Sequence, residues 1–335
     1  MNYIDLFSGA GGMSLGFEKQ GFTNLFAIEF DKDAAKTYRR NFPNNYLIER
    51  DIKKVSNQEI LDIVKDIEVD LIIGGPPCQG FSIAGNIGRK FIDDDRNLLF
   101  KEFVRVVKLV RPKFFVMENV ARMATHKKGD TIKEICEEFE KAGYYVDYKV
   151  LNSVKFNVPQ NRRRIFVVGT LGYDFQFPEG NENKVSVKDA IGDLPALLSG
   201  EKSLIPNHFA MNHSKQMLKK MSYVTDGGNR NEIPEELRPK SGDARKYIKF
   251  DSSQPSVTVT GDMRKIFHYE QNRALTSREL ARLQTFPDTF IFEGTSISVQ
   301  QQIGNAVPPN LSEGVAKNVR KSLIKAVRYT ETCIS

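Results

Sequence analysis

YIDLFSGAGGMSLGF, residues Tyr3 to Phe17, decides how the first half of the chain is read. An apolar run of strand length meets Gly9, Gly11 and Gly12 and then gives way to a segment of helical spacing. Strand, glycine turn and helix open a βαβ unit. Glycines at that corner permit a tight turn and let a ligand approach the backbone at the carboxyl end of the sheet. The third glycine of a dinucleotide fingerprint is missing, because Ser14 stands there. Alone, such a turn is as readily structural as functional.

Working outward, NLFAIEF reads as a second strand, and Asp31 to Asn41 as a helix with Asp31 as its N-cap. VDLIIG is a third strand, Asn97 to Val110 a helix that stops at Arg111-Pro112, and KFFVMEN a fourth strand. Thr131 to Ala142 reads as a helix ending at Gly143, and YYVDYKVLN and RRIFVVGT as further strands. The alternation implies an α/β fold, a mainly parallel sheet covered by helices on both faces. From 172 to 270 the pattern gives way to Asn, Gly, Pro, Lys and Asp. Helical spacing returns at Thr276, and PPNLSEGVAKNVRKSLIKAV predicts an amphipathic helix that packs back on the first domain. Residues 1–171 with 296–335 are expected to form a catalytic, cofactor-binding domain, and 172–295 a smaller, loop-rich one.

Apolar residues make up 40% and charged residues 27% of the 335, as in an ordinary globular protein. Cys78, Cys136 and Cys333 are too few, and odd in number, for a disulfide framework, which suits a reducing compartment. No apolar run reaches the length of about 18 residues that a membrane span needs. MNYIDLFSG has no basic head or apolar signal core, so a cytoplasmic protein is expected. Residues 1–150 carry 23 basic and 23 acidic side chains, the rest 26 and 19, so the net +7 lies wholly after residue 150. A basic second half fits a polyanion such as nucleic acid, although a mildly basic enzyme would look the same.

Glu29 ends the second strand, 20 residues after Gly9, where a carboxylate can accept from ribose hydroxyls. Asp51 follows at the next turn and suits an adenine amino group. Either acid alone is a plain surface charge; together, at successive strand ends, they point to an adenosine-containing cofactor. No GxxxxGK[ST] loop is present. Past the third strand, GGPPCQGFS puts Cys78 on a loop stiffened by Pro76 and Pro77, and Glu118 ends the neighbouring strand in FFVMENV. A thiol, a carboxyl and an adenosyl cofactor suit a pyrimidine. A thiolate adds to carbon 6, a carboxyl whose pKa burial has raised protonates or hydrogen-bonds ring nitrogen 3, and carbon 5 then attacks a sulfonium methyl. Gln160, Arg162 and Arg164 alternate in VPQNRRRIFVVG and read as one strand face, suited to a base carbonyl and phosphates or, more plainly, to salt bridges. His126, His208, His213 and His268 lack metal-ligand spacing and read as surface or packing residues, with no metal expected. Cys136 reads as a small buried hydrophobe.

In this order the segments DLFSGAGG, GGPPCQGFS, MENV, QNRRR, RELARLQTFPD and QQIGNAVPPNL resemble the motifs of cytosine-5 DNA methyltransferases of the bacterial restriction–modification type, over almost the whole chain. The resemblance implies a Rossmann-like S-adenosylmethionine-dependent methyltransferase sheet, with a target-recognition domain whose variable part is 172–275. It implies that Cys78 attacks carbon 6, that Glu118 contacts nitrogen 3 and the exocyclic amine, that Arg164 contacts the base carbonyl and that Arg162 supports the site. Phe7, Gly9, Gly11, Gly12, Glu29, Asp51, Ile52, Pro76, Leu98, Asn305 and Ala306 would line the S-adenosylmethionine pocket. The turn at Asp51 lacks the glycine that the family often has before it. Gln79 to Arg96 would be a mobile loop closing over DNA, with the target cytosine flipped out. Gln79, Ser82, Arg96, Gln160, Arg230, Arg245 and Arg264 are the expected DNA contacts, with Lys246 beside them. The implied partners are double-stranded DNA and a cognate restriction endonuclease acting independently; the enzyme is expected to be a monomer without a membrane association. A transfer-RNA cytosine methyltransferase and a non-catalytic DNA-binding module are the competing readings.

Overall fold

The computed structural model describes residues 1–77, 98–239 and 246–332, with side chains to Lys325. The chain divides into two compact units, one of residues 1–152, 163–179 and 311–335, the other of 153–162 and 180–310.

Among the described residues, the first unit holds a seven-stranded sheet: β1 (Asn2–Leu6), β2 (Thr23–Glu29), β3 (Leu47–Glu49), β4 (Leu71–Gly74), β5 (Phe114–Val120), β6 (Tyr145–Asn152) and β7 (Arg163–Thr170). Their order is β3-β2-β1-β4-β5-β7-β6, so the strand order reverses between β1 and β4. Ligands of open α/β sheets bind beyond the carboxyl ends of the strands at such a switch point. The first five strands are parallel, whereas β7 runs antiparallel to both β5 and β6. Since β6 opposes β7, it points the same way as β1 to β5, so the expectation of a mainly parallel sheet holds with β7 as the single reversed strand. Residues 153–162 between β6 and β7 carry no crossover helix, without which a parallel return is not possible. β3, three residues long, is too short to show a period and escapes a sequence reading.

The helices of this half are α1 (Gly12–Lys19), α2 (Lys32–Asn41), α3 (Asn57–Ile63), α4 (Leu98–Val110) and α5 (Asp130–Glu140). Asp31 caps α2 as expected, accepting from the amides of Asp33 and Ala34. Leu6, Phe26, Ile72, Phe103, Phe115, Phe139 and Val167 belong to one continuous buried core. Within it the Phe103 ring meets those of Phe115 and Phe139 edge-on. Cys136 packs against this core, half-buried, and burial with nearby carboxylates pushes its thiol up to about 12.

The second unit is loop-rich. It holds α6 (Val187–Ile191), α7 (Lys215–Tyr223), α8 (Ser277–Leu283), α9 (Ser296–Asn305) and a two-stranded parallel pair, β8 (Ile248–Lys249) and β9 (Ile266–Phe267). Its interior sets buried charged groups among apolar side chains such as Leu280, Phe286 and Phe290. Arg273 and Glu279, each 1% exposed, form a two-armed ion pair of 2.6 and 2.8 Å, and Glu279 also accepts from Thr276 N at the head of α8. Arg278, fully buried, donates to the carbonyls of Pro206, Pro287 and Phe290. These arginines satisfy carbonyls that irregular loops leave without ladder partners. His208 bonds Thr276 and Pro195 O, while His268 accepts from the Glu270 and Gln271 amides, so both are packing residues.

The sequence expectation places 296–310 with the sheet domain, but these residues group with the second unit. Gln284 Nε2 donates to Ile303 O at 2.6 Å, Gln300 accepts from Met263 N at 3.1 Å, and Gly304 lies so close to Thr260 that a Cβ there would be 2.3 Å from its carbonyl carbon. The last helix, α10 (Pro309–Thr332), packs back on the first unit as its pattern predicts. Ser312 Oγ donates to Met13 O at 2.9 Å, and Gly16 of α1 leaves no room for a Cβ against Ser312 and Glu313.

Candidate active site

Two neighbouring strand ends build the chemical part of the site. β4 and β5 pair in register, Gly74 opposite Met117. The chain beyond β4 runs through Gly75 and Pro76 toward Cys78, which lies outside the described residues. Asn119, the residue after Glu118, donates from Nδ2 to Pro76 O at 2.9 Å and so ties the root of the cysteine loop to β5. A Cβ on Gly75 would be 3.1 Å from Glu118 Oε2, so the carboxylate lies directly beside that root. Glu118 is 8% exposed, and Arg164 Nε approaches its Oε1 at 2.9 Å. Arg164 follows from the antiparallel register, which sets it opposite Val120, two residues past Glu118.

The three polar residues read as one face do not share one. β7 starts at Arg163, so Gln160 and Arg162 precede the strand. Gln160 is fully buried: its amide bonds Gln284, Leu283 O and Val259 N, which corrects its assignment as a DNA contact. Arg162, 1% exposed, donates to Val259 O and Gly304 O in the second unit. Its guanidinium is thus a structural tie, not a group that takes base or phosphate.

The glycine corner between β1 and α1 is built for something to lie against. Phe7, Gly9 and Gly11 all have left-handed φ, of 61°, 56° and 93°. Gly11 has no room for a side chain, since a Cβ would be 2.3 Å from the Phe42 ring. Gly9 is the opposite case: a Cβ there would meet nothing within 4 Å among the described residues. Glu29 Oε2 accepts from Gly9 N at 2.7 Å, and its Oε1 accepts from Phe30 N and Asp31 N. Burial raises the Glu29 pKa against the lowering effect of these three bonds. Ser8 Oγ is buried with no hydrogen-bond partner among the described residues. Open space above Gly9, an unsatisfied hydroxyl and a carboxylate fit a polar ligand such as a nucleoside.

The other expected pocket residues vary. Asp51 is partly exposed, caps the short turn Ile52–Lys54 and pairs with Lys53 at 3.3 Å. Ile52 is buried in the core. Gly12 is buried as the first residue of α1, Pro76 is buried, and Leu98 is exposed at the start of α4. Asn305 and Ala306, at the end of α9, belong to the second unit. Gln79, Ser82, Arg96 and Arg245 lie outside the described residues. Arg230 is half-buried in a short turn, and Arg264 is exposed.

Sequence reasoning missed Asp5, Asn119 and Phe30. Asp5, 1% exposed inside β1, accepts from Ser14 Oγ at 2.6 Å, and Ser14 Oγ in turn lies 3.1 Å from Tyr38 OH. The residue standing in place of the third glycine thereby ties α1 to β1. Phe30 is 67% exposed beside Glu29, and its position after an acid at a strand end was the available signal.

The C-5 cytosine-specific DNA methylase family matches residues 1–321. The chain belongs to this family. It is a DNA (cytosine-5)-methyltransferase of the type II restriction–modification kind. It is 58% identical over 323 residues to the type II methyltransferase M1.HphI of Haemophilus parahaemolyticus, covering 96% of this chain and 87% of that protein. It is 37% identical to M.DdeI of Desulfomicrobium norvegicum, covering 95% and 88%. Among solved structures, a candidate DNA modification methyltransferase encoded within an E. coli prophage superposes with a TM-score of 0.79 at 28% identity, covering 97% of this chain and 99% of that one. Spodoptera frugiperda DNMT2 shares the fold, with a TM-score of 0.68 at 17% identity over 95% and 99%. The methylase has no helix long and apolar enough to cross a membrane among the described residues.

Proposed function

We propose that this methylase transfers the methyl of S-adenosylmethionine to carbon 5 of a cytosine flipped out of duplex DNA, through a covalent adduct with Cys78. The observation that carries the reading is the Glu118–Arg164 pair, 2.9 Å apart at the end of β5, beside the Asn119-anchored root of the Pro-Pro-Cys loop. The Cys78 thiolate adds to carbon 6, which makes carbon 5 nucleophilic. Glu118 shares a proton with ring nitrogen 3, so charge on the ring is stabilised as the C–S bond forms. Arg164 holds Glu118 in place and offers its remaining donors to the base carbonyl. Once carbon 5 carries the methyl it loses its own proton, the C6–S bond breaks, and the thiolate is restored. Ser8, Gly9, Glu29 and Asp51 would hold the cofactor's nucleoside, with the Phe30 ring against its base. When bound, S-adenosylmethionine supplies an electrophilic methyl. The second unit serves as the target-recognition part, and the enzyme works in the cytoplasm, protecting DNA from a cognate endonuclease.

The test is methyl transfer from labelled S-adenosylmethionine to unmethylated bacterial DNA, mapped by bisulfite sequencing, with Cys78→Ser in parallel. Protected cytosines in one short motif, absent with the variant, are expected. Transfer only to transfer RNA would replace the substrate, and activity in Cys78→Ser would overturn the mechanism.

A further inference from the structure

The two-stranded pair of the second unit carries a charged end that the mechanism does not use. β8 and β9 pair with Ile248 opposite Ile266 and Lys249 opposite Phe267. Tyr247 N donates to Lys265 O at 2.7 Å, so the two chains stay together one step before the strands begin. There one carboxylate joins both: Asp262 Oδ1 accepts from Arg264 Nε at 2.8 Å, and Asp262 Oδ2 accepts from Lys246 Nζ. The Tyr247 ring, in a residue held at φ 62°, has Lys265 Nζ 5.0 Å and Lys220 Nζ 5.8 Å from its centre. A small apolar core of Met221, Val224, Ile233 and Phe267, with Tyr247 packed on it, supports this end. A site on such a base is held more firmly than one on a free loop.

A guanidinium offers paired donors along two edges, one through Nε and one through the two terminal nitrogens. Asp262 occupies Nε. Among the described residues Arg264 makes no other hydrogen bond, and its side chain is 48% exposed. The edge left open is the one that matches O6 and N7 of guanine. A phosphate is a poorer fit, because the Asp262 carboxylate beside Arg264 repels an anion but not a neutral base edge. Among the described residues no carboxylate pairs with Lys265 or Lys220, which makes these flanking lysines the better phosphate groups.

We propose that Arg264 is a specificity residue that reads one guanine of the recognition sequence in the major groove, with Asp262 fixing its orientation. The proposal rests on the DNA methylation reading above. It is tested with Arg264→Lys, Arg264→Ala, Asp262→Asn and Lys265→Ala, each checked for native melting and circular dichroism. For each, kcat/KM is measured on the mapped site and on duplexes with one base pair replaced at a time. Arg264→Lys keeps the charge but not the paired donors. It should lose about ten- to a hundredfold of discrimination at a single guanine and keep the wild-type ranking elsewhere. Asp262→Asn should relax the same position in part. Lys265→Ala should weaken binding evenly across sequences and lower the salt slope by about 1. Unchanged discrimination at every position in both Arg264 variants overturns the proposal, whether activity is normal or binding is evenly weaker. Failure of the wild-type protein to methylate any DNA overturns the methylation reading instead, and the inference falls with it.

Discussion

Glu118 can act on a base because its carboxylate is buried at a strand end, beside the root of the cysteine loop. One oxygen meets Arg164, and the other lies beside Gly75, a residue with no side chain to fill the space. Replacing it by Gln keeps the size and some hydrogen bonding but removes the exchangeable acid proton. Glu118→Gln should lower single-turnover methyl transfer by about 10²- to 10⁴-fold. DNA affinity measured by gel shift should change only a few-fold; a variant that fails to bind DNA would assign Glu118 to recognition instead. Cys78 and Glu118 were legible because each follows an apolar run at a strand end. Gln160 and Arg162 were misread because alternation in sequence implies one face only inside a strand, and the strand starts at Arg163. A buried arginine on backbone carbonyls carries the same letter as an arginine on a substrate.

The β1–α1 corner shows why glycines that look alike in sequence are not alike in function. Gly11→Ala meets two penalties, a left-handed φ and contact with the Phe42 and Tyr38 rings. The backbone part alone costs roughly 1–2 kcal/mol, so a clear fall in Tm is expected along with lost activity. Gly9→Ala keeps only the backbone part, because its methyl enters open space. If that space belongs to the cofactor, Gly9→Ala should weaken S-adenosylmethionine binding in calorimetry by more than tenfold, with a smaller loss of Tm than Gly11→Ala. Equal affinity in Gly9→Ala and wild type would place the cofactor elsewhere. At this scale the sequence showed the turn, Asp31 as a cap and the length of most helices, since periodicity and capping are local. It did not show β3, the antiparallel return of β7 or the buried charged groups of the second unit. Those depend on partners far along the chain, such as Pro206, whose carbonyl accepts from Arg278, or on the path of a connection.

Over the whole molecule, the fold accepts a carboxyl group with almost no access to water. Asp5 lies inside β1, an interior strand; burial, with smaller contributions from Glu29 and Glu18, raises its pKa to about 8 against the lowering effect of Ser14. The unfolded chain releases this proton near pH 3.8. Between the two values the folded state holds a proton that the unfolded state has lost, so stability falls as pH rises, by up to about 1.4 kcal/mol per pH unit. His268 has the opposite sign. Burial holds it down to about 4, so it adds stability as pH rises from about 4 to its ordinary value near 6.5. The raw profile of the wild type is therefore a sum of opposing slopes, and Asp5→Asn separates them. The variant keeps an oxygen for Ser14 and has no proton to lose. Denaturant midpoints from pH 5.5 to 9 should show Asp5→Asn gaining on wild type as pH rises, at full slope up to about pH 7, more slowly through 8, and levelling off above. A difference that stays flat across this range would mean that Asp5 does not titrate within it. The glycine corner would then rest on an ionised carboxylate rather than on a neutral acid beneath it.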